Sequence, residues 1–384
     1  MDLVDRKLLN AIQTAFPLVD QPYQELGKQL SIPEAETTEA ETVEAEITES
    51  EVIERLGNLK RQNVLRQISA IFDTRRLGYQ TTLVAFAYEP DQLNSGALFI
   101  NRHPGVSHNY AREGSYYNLW FTLAVPGDGD LDGTIQWMAR ETNALDHRVM
   151  PTIRFFKIGV NFDMVKQKGA AHQYNPDAPR PDAPKTDSAA KTAPGPAWNQ
   201  AVPLTESDKA AIRELQEDLA LIPRPFDAMA ERLGYNTGEL FQLAAEFQER
   251  KLMRRFSAVL HHRRSGFRSN AMIVWKVPSE RSEEVGMLMA ENPAVTHCYE
   301  RPTFPDWPYT HFTMVHATTA EGCEEVEREI SQATGITENQ LLYSTREYKK
   351  TRVRYFVEDY QEFWEQESED TEAAPELAQP SPGP

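Results

Sequence analysis

Cysteine is nearly absent: Cys298 and Cys323 are the only two in 384 residues. Two thiols cannot build a disulfide framework, a four-cysteine zinc site or a cysteine-ligated iron–sulfur cluster, which excludes radical chemistry run from such a cluster. Long apolar runs are missing too, and no stretch approaches the roughly 20 residues a membrane helix needs. Met1 is followed by Asp2, Asp5, Arg6 and Lys7 rather than by an apolar leader, so we expect a cytoplasmic protein with no membrane association. A basic surplus is also lacking: 40 Lys and Arg stand against 58 Asp and Glu, a net charge of −18. That deficit is local. Nine acids lie between Glu34 and Glu54 and nine more after Val357, with no base in either stretch. The rest of the chain is balanced, so its charge neither excludes a nucleic-acid partner nor offers the positive surplus such binding uses.

What the chain does contain is an internal repeat. Asp5-Arg6-Lys7-Leu8-Leu9 with Leu18-Val19 and Pro22-Tyr23 returns as Asp208-Lys209-Ala210-Ala211-Ile212 with Leu221-Ile222 and Pro225-Phe226, an offset of 203. Arg75-Arg76-Leu77-Gly78-Tyr79 returns as Arg263-Arg264-Ser265-Gly266-Phe267 at an offset of 188. The difference marks an acidic, low-complexity insertion at about 36–50 in the first copy. Val106-Ser107-His108-Asn109-Tyr110-Ala111-Arg112 matches Val295-Thr296-His297-Cys298-Tyr299-Glu300-Arg301. One unit has been duplicated and fused.

Helix-period spacing over 3–15, 22–30 and 50–62, and over 206–218, 225–233 and 237–250, predicts a three-helix helix-turn-helix domain in each copy. Strand-rich stretches alternating with helical ones then predict a ferredoxin-like βαββαβ domain, an α+β chain overall. The expected domains are 1–72 and 73–165, a Pro- and Ala-rich linker over 166–204, then 205–260 and 261–360, with an acidic disordered tail over 361–384. The tether would let the copies pack as an internal heterodimer, open to further self-association.

A helix-turn-helix followed by a ferredoxin-like domain resembles the Lrp/AsnC regulators, and the motifs narrow the likeness. Arg75 to Tyr79, Val106 to Tyr110 and Tyr117-Asn118-Leu119-Trp120-Phe121-Thr122 are similar to one subunit of the siroheme decarboxylases. His261-His262-Arg263-Arg264, Val295 to Tyr299, Asp306-Trp307-Pro308-Tyr309, Phe312 to His316 and Leu342-Tyr343-Ser344-Thr345-Arg346-Glu347 are similar to the partner subunit. The resemblance implies loss of two acetate carboxyls from siroheme, at C12 and C18, giving 12,18-didecarboxysiroheme and CO2 for heme or heme d1 synthesis. It implies siroheme as the partner and no added cofactor, since the conjugated ring accepts the electron pair and brings its own iron.

The residue types suit that chemistry. A proton must meet the carbanion left by CO2, and imidazole titrates near working pH. Several carboxylates need guanidinium and ammonium anchors. His108 with Tyr110 and Arg112, and His297 with Tyr299 and Arg301, alternate along a strand and so share a face. We expect His108, His297, Tyr110 and Tyr299 to be catalytic. Arg75, Arg76, Arg112, Arg263, Arg264, Arg301, Trp307, Tyr309, Arg346 and Lys350 are expected to bind substrate. No metal site is expected beyond His316 as a candidate iron ligand. Each has a plainer explanation. A strand histidine is often only hydrogen-bonded, the Arg pairs suit a solvated turn or a DNA-contacting wing, Trp307 suits packing, and Lys349, Lys350, Arg352 and Arg354 suit a charged edge strand. Recurrence of His-x-Tyr-x-Arg in both copies favours a site.

Two rivals remain. A DNA-binding regulator would need basic recognition helices, whereas these carry Glu49, Glu51 and Glu54 in one copy and Glu239, Glu246 and Glu249 in the other. A tetrapyrrole carrier without turnover would share the cationic pocket.

Overall fold

The computed structural model describes residues 1–31, 47–158, 161–163, 168–170, 200–260, 269–317 and 319–356. Most of the acidic insertion, most of the linker, the tail and His261 to Arg264 lie outside these residues. Copy one runs α1 (Leu3–Thr14), α2 (Pro22–Ser31), α3 (Glu49–Arg61), β1 (Leu65–Phe72), β2 (Tyr79–Ala87), α4 (Leu93–Asn101), β3 (Val106–Glu113), β4 (Leu119–Pro126), α5 (Leu131–Glu141), β5 (Asp146–Met150) and β6 (Arg154–Ile158). A hairpin of β7 (Asn161–Asp163) and β8 (Lys168–Ala170) follows. Copy two runs α6 (Glu206–Leu215), α7 (Asp227–Leu233), α8 (Thr237–Glu249), β9 (Met253–Leu260), β10 (Ser269–Trp275), α9 (Ser282–Glu291), β11 (Val295–Glu300), β12 (His311–Ala317), α10 (Ala320–Thr334) and β13 (Asn339–Lys350). Among the described residues no helix is long and apolar enough to cross a membrane.

The repeat at the start of each copy is a helix start. Asp2 and Asp5 form a capping box on α1, and Thr205 and Asp208 form the same box on α6, so the repeated aspartate satisfies the N-cap backbone in both. Behind the caps, Leu8, Leu9 and Ile12 and, in copy two, Ala211, Ile212 and Leu215 are fully buried. The helical domains do not stand apart. Strand β1 pairs antiparallel with β9, and the bundles merge into one core in which Leu56 and Phe72 share a cluster with Phe247 and Phe256.

The second half of each copy is βαββαβ, and the two halves form a nine-stranded sheet in the order β5-β2-β4-β3-β13-β10-β12-β11-β6. Strand β13 carries the junction. Its residues Asn339 to Tyr343 pair with β10 of their own copy, and Tyr343 to Lys350 pair with β3 of the other. The half that carries Lys349 and Lys350 is paired with β3, and Lys349 Nζ donates to Asn101 O at 2.7 Å. In copy one the matching stretch is split at Pro151: β5 pairs with its own β2 and β6 crosses to β11. Because residues 151–153 link the two outermost strands, the sheet curls until its ends meet.

Inside the curl lies an apolar core contributed by both copies: Ala85, Trp120 and Met150 with Met272, Val274, Phe312 and Leu342. Copy one packs its outer face on α4 and α5 through Phe86, Ile100, Phe121 and Met138, and copy two packs on α9 and α10 through Trp275, Met289 and Ile330. Two of these cores cross the copy boundary, so the copies should unfold together. Urea denaturation followed by tryptophan fluorescence and far-ultraviolet dichroism is expected to give one coincident transition. Leu342→Ala should lower its stability by about 2–5 kcal/mol; two separated transitions would contradict the shared cores.

Candidate active site

On β3 and β11 the repeated motif makes two ladders of the same build. The His108 and Tyr110 rings stack 6.4 Å apart, and the Arg112 guanidinium lies 5.4 Å over Tyr110. The His297 and Tyr299 rings stack 6.0 Å apart, and Arg301 lies 5.0 Å over Tyr299. Alternation on a strand puts the three side chains in line, and cation–π attraction orders the last two. Each imidazole is anchored at Nδ1 by the preceding hydroxyl, with Ser107 Oγ at 3.0 Å and Thr296 Oγ1 at 3.1 Å.

At the deep end, Arg112 and Arg301 are only 6% and 7% exposed. Arg112 donates to Leu342 O at 3.1 Å, and Arg301 donates to Met150 O, in each case a carbonyl of the other copy. Burial lowers both pKa values to about 10, which leaves them charged at neutral pH. Among the described residues neither forms an ion pair, and both Nε atoms are buried without a hydrogen-bond partner. These guanidiniums pin the copies together at the floor of the ladders.

At the histidine end, positive charge converges from four elements. Lys350 on β13 is the register partner of His108, and its charge acts on His108, His297 and His316 alike. Arg66 on β1 acts on His108, and Arg254 on β9 acts on His297 and Tyr299. Arg75, in the turn after β1, lies 5.5 Å over the Phe155 ring and acts on Tyr299 and Arg301, so copy one's turn serves copy two's ladder. Arg352 donates to Ser69 Oγ at 2.9 Å and Ala70 O at 2.8 Å, with its pKa lowered to about 10 by burial. A cavity of about 400 Å³ opens here, with Arg66, Ser107, His108, Lys349, Arg352 and Tyr355 in its wall. The buried carboxylate nearby, Asp73, is engaged by Arg254 at 2.8 Å and Arg75 at 3.7 Å; burial alone would raise its pKa, but these two cations hold it below the usual range. The cluster has more cations than anions in a chain whose net charge is −18.

The imidazoles respond to this field. Burial first and Lys350 second bring His108 down to about 3, His297 to about 4 and His316 to about 3. All three are neutral at neutral pH. The copies are not identical there. The sheet register puts Ala124 where copy two has His316, and Ile158 opposite His297 where Lys350 stands opposite His108.

The other expected residues lie elsewhere. Arg76 donates to Gln200 O at 3.3 Å and Arg250 O at 3.2 Å, a tie between segments. Arg346 is exposed, donates to Asn94 Oδ1 at 2.7 Å and covers the Tyr348 ring. Trp307 is 3% exposed, 5.5 Å from Trp120 and 5.1 Å from Tyr309, so this pair belongs to the core inside the curl. Arg263 and Arg264 lie outside the described residues. Among the described residues no cluster of His, Cys, Asp or Glu could hold a metal ion by itself. Residues that the sequence reading did not single out include Arg66, Arg254, Ser107 and Thr296. Lys157 donates to Asn292 O at 2.9 Å, as Lys349 does to Asn101 O at 2.7 Å, a matched pair across the copies.

The depressed imidazole pKa values set a pH dependence of stability. A histidine free in the unfolded chain titrates near 6.5, above these folded values. The unfolded state therefore binds more protons as pH falls below that point. Stability is full above about 6.5 and declines toward 4. Urea midpoints measured from pH 7 to pH 5 should fall, and His108→Gln or His297→Gln should flatten the decline.

Two family models match the chain. The AsnC-like ligand binding domain matches residues 76–157 and 264–349, and the siroheme decarboxylase NirDL-like HTH domain matches residues 5–40 and 208–254. A siroheme decarboxylase of Hydrogenobacter thermophilus is 34% identical over 361 residues, covering 94% of this chain and 97% of that protein. A siroheme decarboxylase beta subunit of Methanosarcina barkeri is 46% identical over 151 residues, covering 39% of this chain and 99% of that one. Among solved structures, the siroheme decarboxylase NirDL in co-complex with an iron-uroporphyrin III analogue matches at a TM-score of 0.65 and 30% identity, over 96% of this chain and 99% of that chain. A likeness that runs the length of both chains, with each family model matched once per copy, establishes that this chain belongs to the siroheme decarboxylase family.

Proposed function

We propose that the chain is a carboxy-lyase that takes siroheme into the cleft between its copies and removes the C12 and C18 acetate carboxyls, giving 12,18-didecarboxysiroheme and two CO2. The observation that carries this reading is the cavity of about 400 Å³ with Arg66, His108, Lys349 and Arg352 in its wall, beside which Lys350 is the register partner of His108. A polycarboxylate supplies the charge that this cluster lacks. Arg66, Arg254 and Lys350 hold carboxylates that stay on the ring, while the reacting acetate breaks its bond to CO2 and leaves its electron pair in the conjugated macrocycle. A proton from an imidazole then completes the methyl group. Tyr110 and Tyr299 brace the imidazoles and separate them from the buried guanidiniums. No added cofactor is needed, because the substrate ring is itself the electron sink.

A regulator is not favoured. On α3, Arg55 is held by Asp2, Asp5 and Glu51, and Lys60 pairs with Asp218, while α8 has no Lys or Arg. These helices are better suited to packing than to phosphate contact.

Anaerobic incubation with siroheme followed by mass spectrometry should show loss of two CO2 masses. Tight binding of unchanged siroheme would instead make the protein a carrier. Lys350→Ala should weaken binding by roughly 10- to 100-fold, the value of one charge-assisted contact, as read from an absorbance titration. His108→Ala should slow turnover by about 100-fold or more while binding persists.

A further inference from the structure

The two ladders look alike, but their hydroxyl anchors differ in what lies behind them. In copy two, Thr296 Oγ1 touches two groups: the Met314 backbone carbonyl at 3.2 Å and His297 Nδ1 at 3.1 Å. A carbonyl can only accept. The single hydroxyl hydrogen therefore goes to Met314 O, and the contact to the ring is a hydrogen bond only when His297 carries its proton on Nδ1. The neutral ring then has a bare lone pair at Nε2.

In copy one, Ser107 Oγ touches His108 Nδ1 at 3.0 Å and a second hydroxyl, Thr122 Oγ1, at 2.8 Å. Two hydroxyls can point either way along the row. Thr122 can donate to Ser107 while Ser107 donates to His108 Nδ1, which leaves the ring proton on Nε2. Copy two cannot do this, because position 314, the register partner of His297, is methionine where the partner of His108 is Thr122.

We infer that the histidines divide the work: His108 is the imidazole that delivers the proton to the substrate carbon, and His297 is an acceptor only. This rests on the decarboxylase reading. The step balances as follows. The C–C bond to the carboxylate breaks, CO2 leaves, and the electron pair left on the methylene carbon takes the proton from His108 Nε2. Nδ1 takes the Ser107 proton, Ser107 takes the Thr122 proton, and water recharges Thr122, which is half-buried. Before the next CO2 leaves, water protonates Nε2 while Nδ1 returns its proton through Ser107 and Thr122 to solvent, which restores the starting tautomer with no net proton change. One solvent proton is consumed for each CO2 released. Ser107 and Thr122 are thus positioning residues that act through His108, and burial, with Lys350 opposite His108 second, keeps the ring neutral between turnovers.

The test uses the full chain. Long-range proton–nitrogen spectra of 15N-histidine-labelled protein at pH 8 report which ring nitrogen carries the hydrogen, with His108→Gln and His297→Gln identifying the signals. The expected result is a proton on Nδ1 of His297 and on Nε2 of His108. Thr122→Val should slow CO2 release from siroheme by about 10-fold or more and change its solvent deuterium isotope effect, with siroheme binding kept and Thr122→Ser restoring the rate to within about threefold. Both histidines in the Nδ1–H form, or Thr122→Val releasing CO2 at the parental rate and isotope effect, would overturn the division of work. A parent chain that releases no CO2 from siroheme would instead refute the decarboxylase reading, whatever the spectra show.

Discussion

The pairing of β13 with β3 is the constraint on which the rest depends. One strand of copy two satisfies the backbone of its own sheet with its first half and that of copy one with its second. This register fixes Lys350 opposite His108. It also brings the Leu342 carbonyl to Arg112 and closes the two halves over one apolar interior. A slip of one residue would turn Lys350 to the other face and remove the cation that all three imidazoles feel. The crossing of β6 onto β11 repeats the device for copy two, so neither ladder is assembled from a single copy.

The cations of the candidate site lie close to one another and are largely buried. Burying cations near one another is unfavourable unless counter-charge or hydrogen bonds offset it. Here the deeper guanidiniums rely on carbonyls and aromatic faces, Asp73 pairs with Arg254 and Arg75, and the charge of Glu347 acts on Arg66. A ligand with several carboxylates would relieve that repulsion, so its binding would be coupled to the charge of the cations around the ladders.

Much of this architecture was legible in the sequence because it rests on local signals. The repeated aspartates are capping residues, the apolar spacing gives the helices, and alternation places His, Tyr and Arg on one strand face. What escaped depends on pairing between distant segments. Arg66 and Arg254 sit at matched positions of Leu65-Arg66-Gln67-Ile68-Ser69-Ala70 and Met253-Arg254-Arg255-Phe256-Ser257-Ala258, a repeat at the same offset of 188 as the Arg-Arg motif. Seeing it would have flagged both arginines. Seeing that β1 and β9 pair with each other and face the histidines required the fold. Likewise, nothing local separates Lys350, the register partner of His108, from Arg346, four residues earlier and exposed.

The sheet runs through four strands of copy one and four of copy two and ends on β6, which the link at 151–153 ties back to the first strand, so each copy holds the other along two seams. Separate polypeptides of this design would meet by collision, and dilution would dissolve both ladders at once. With both halves on one chain, assembly becomes a first-order event, and the fraction of complete clefts no longer depends on how many molecules the cell makes.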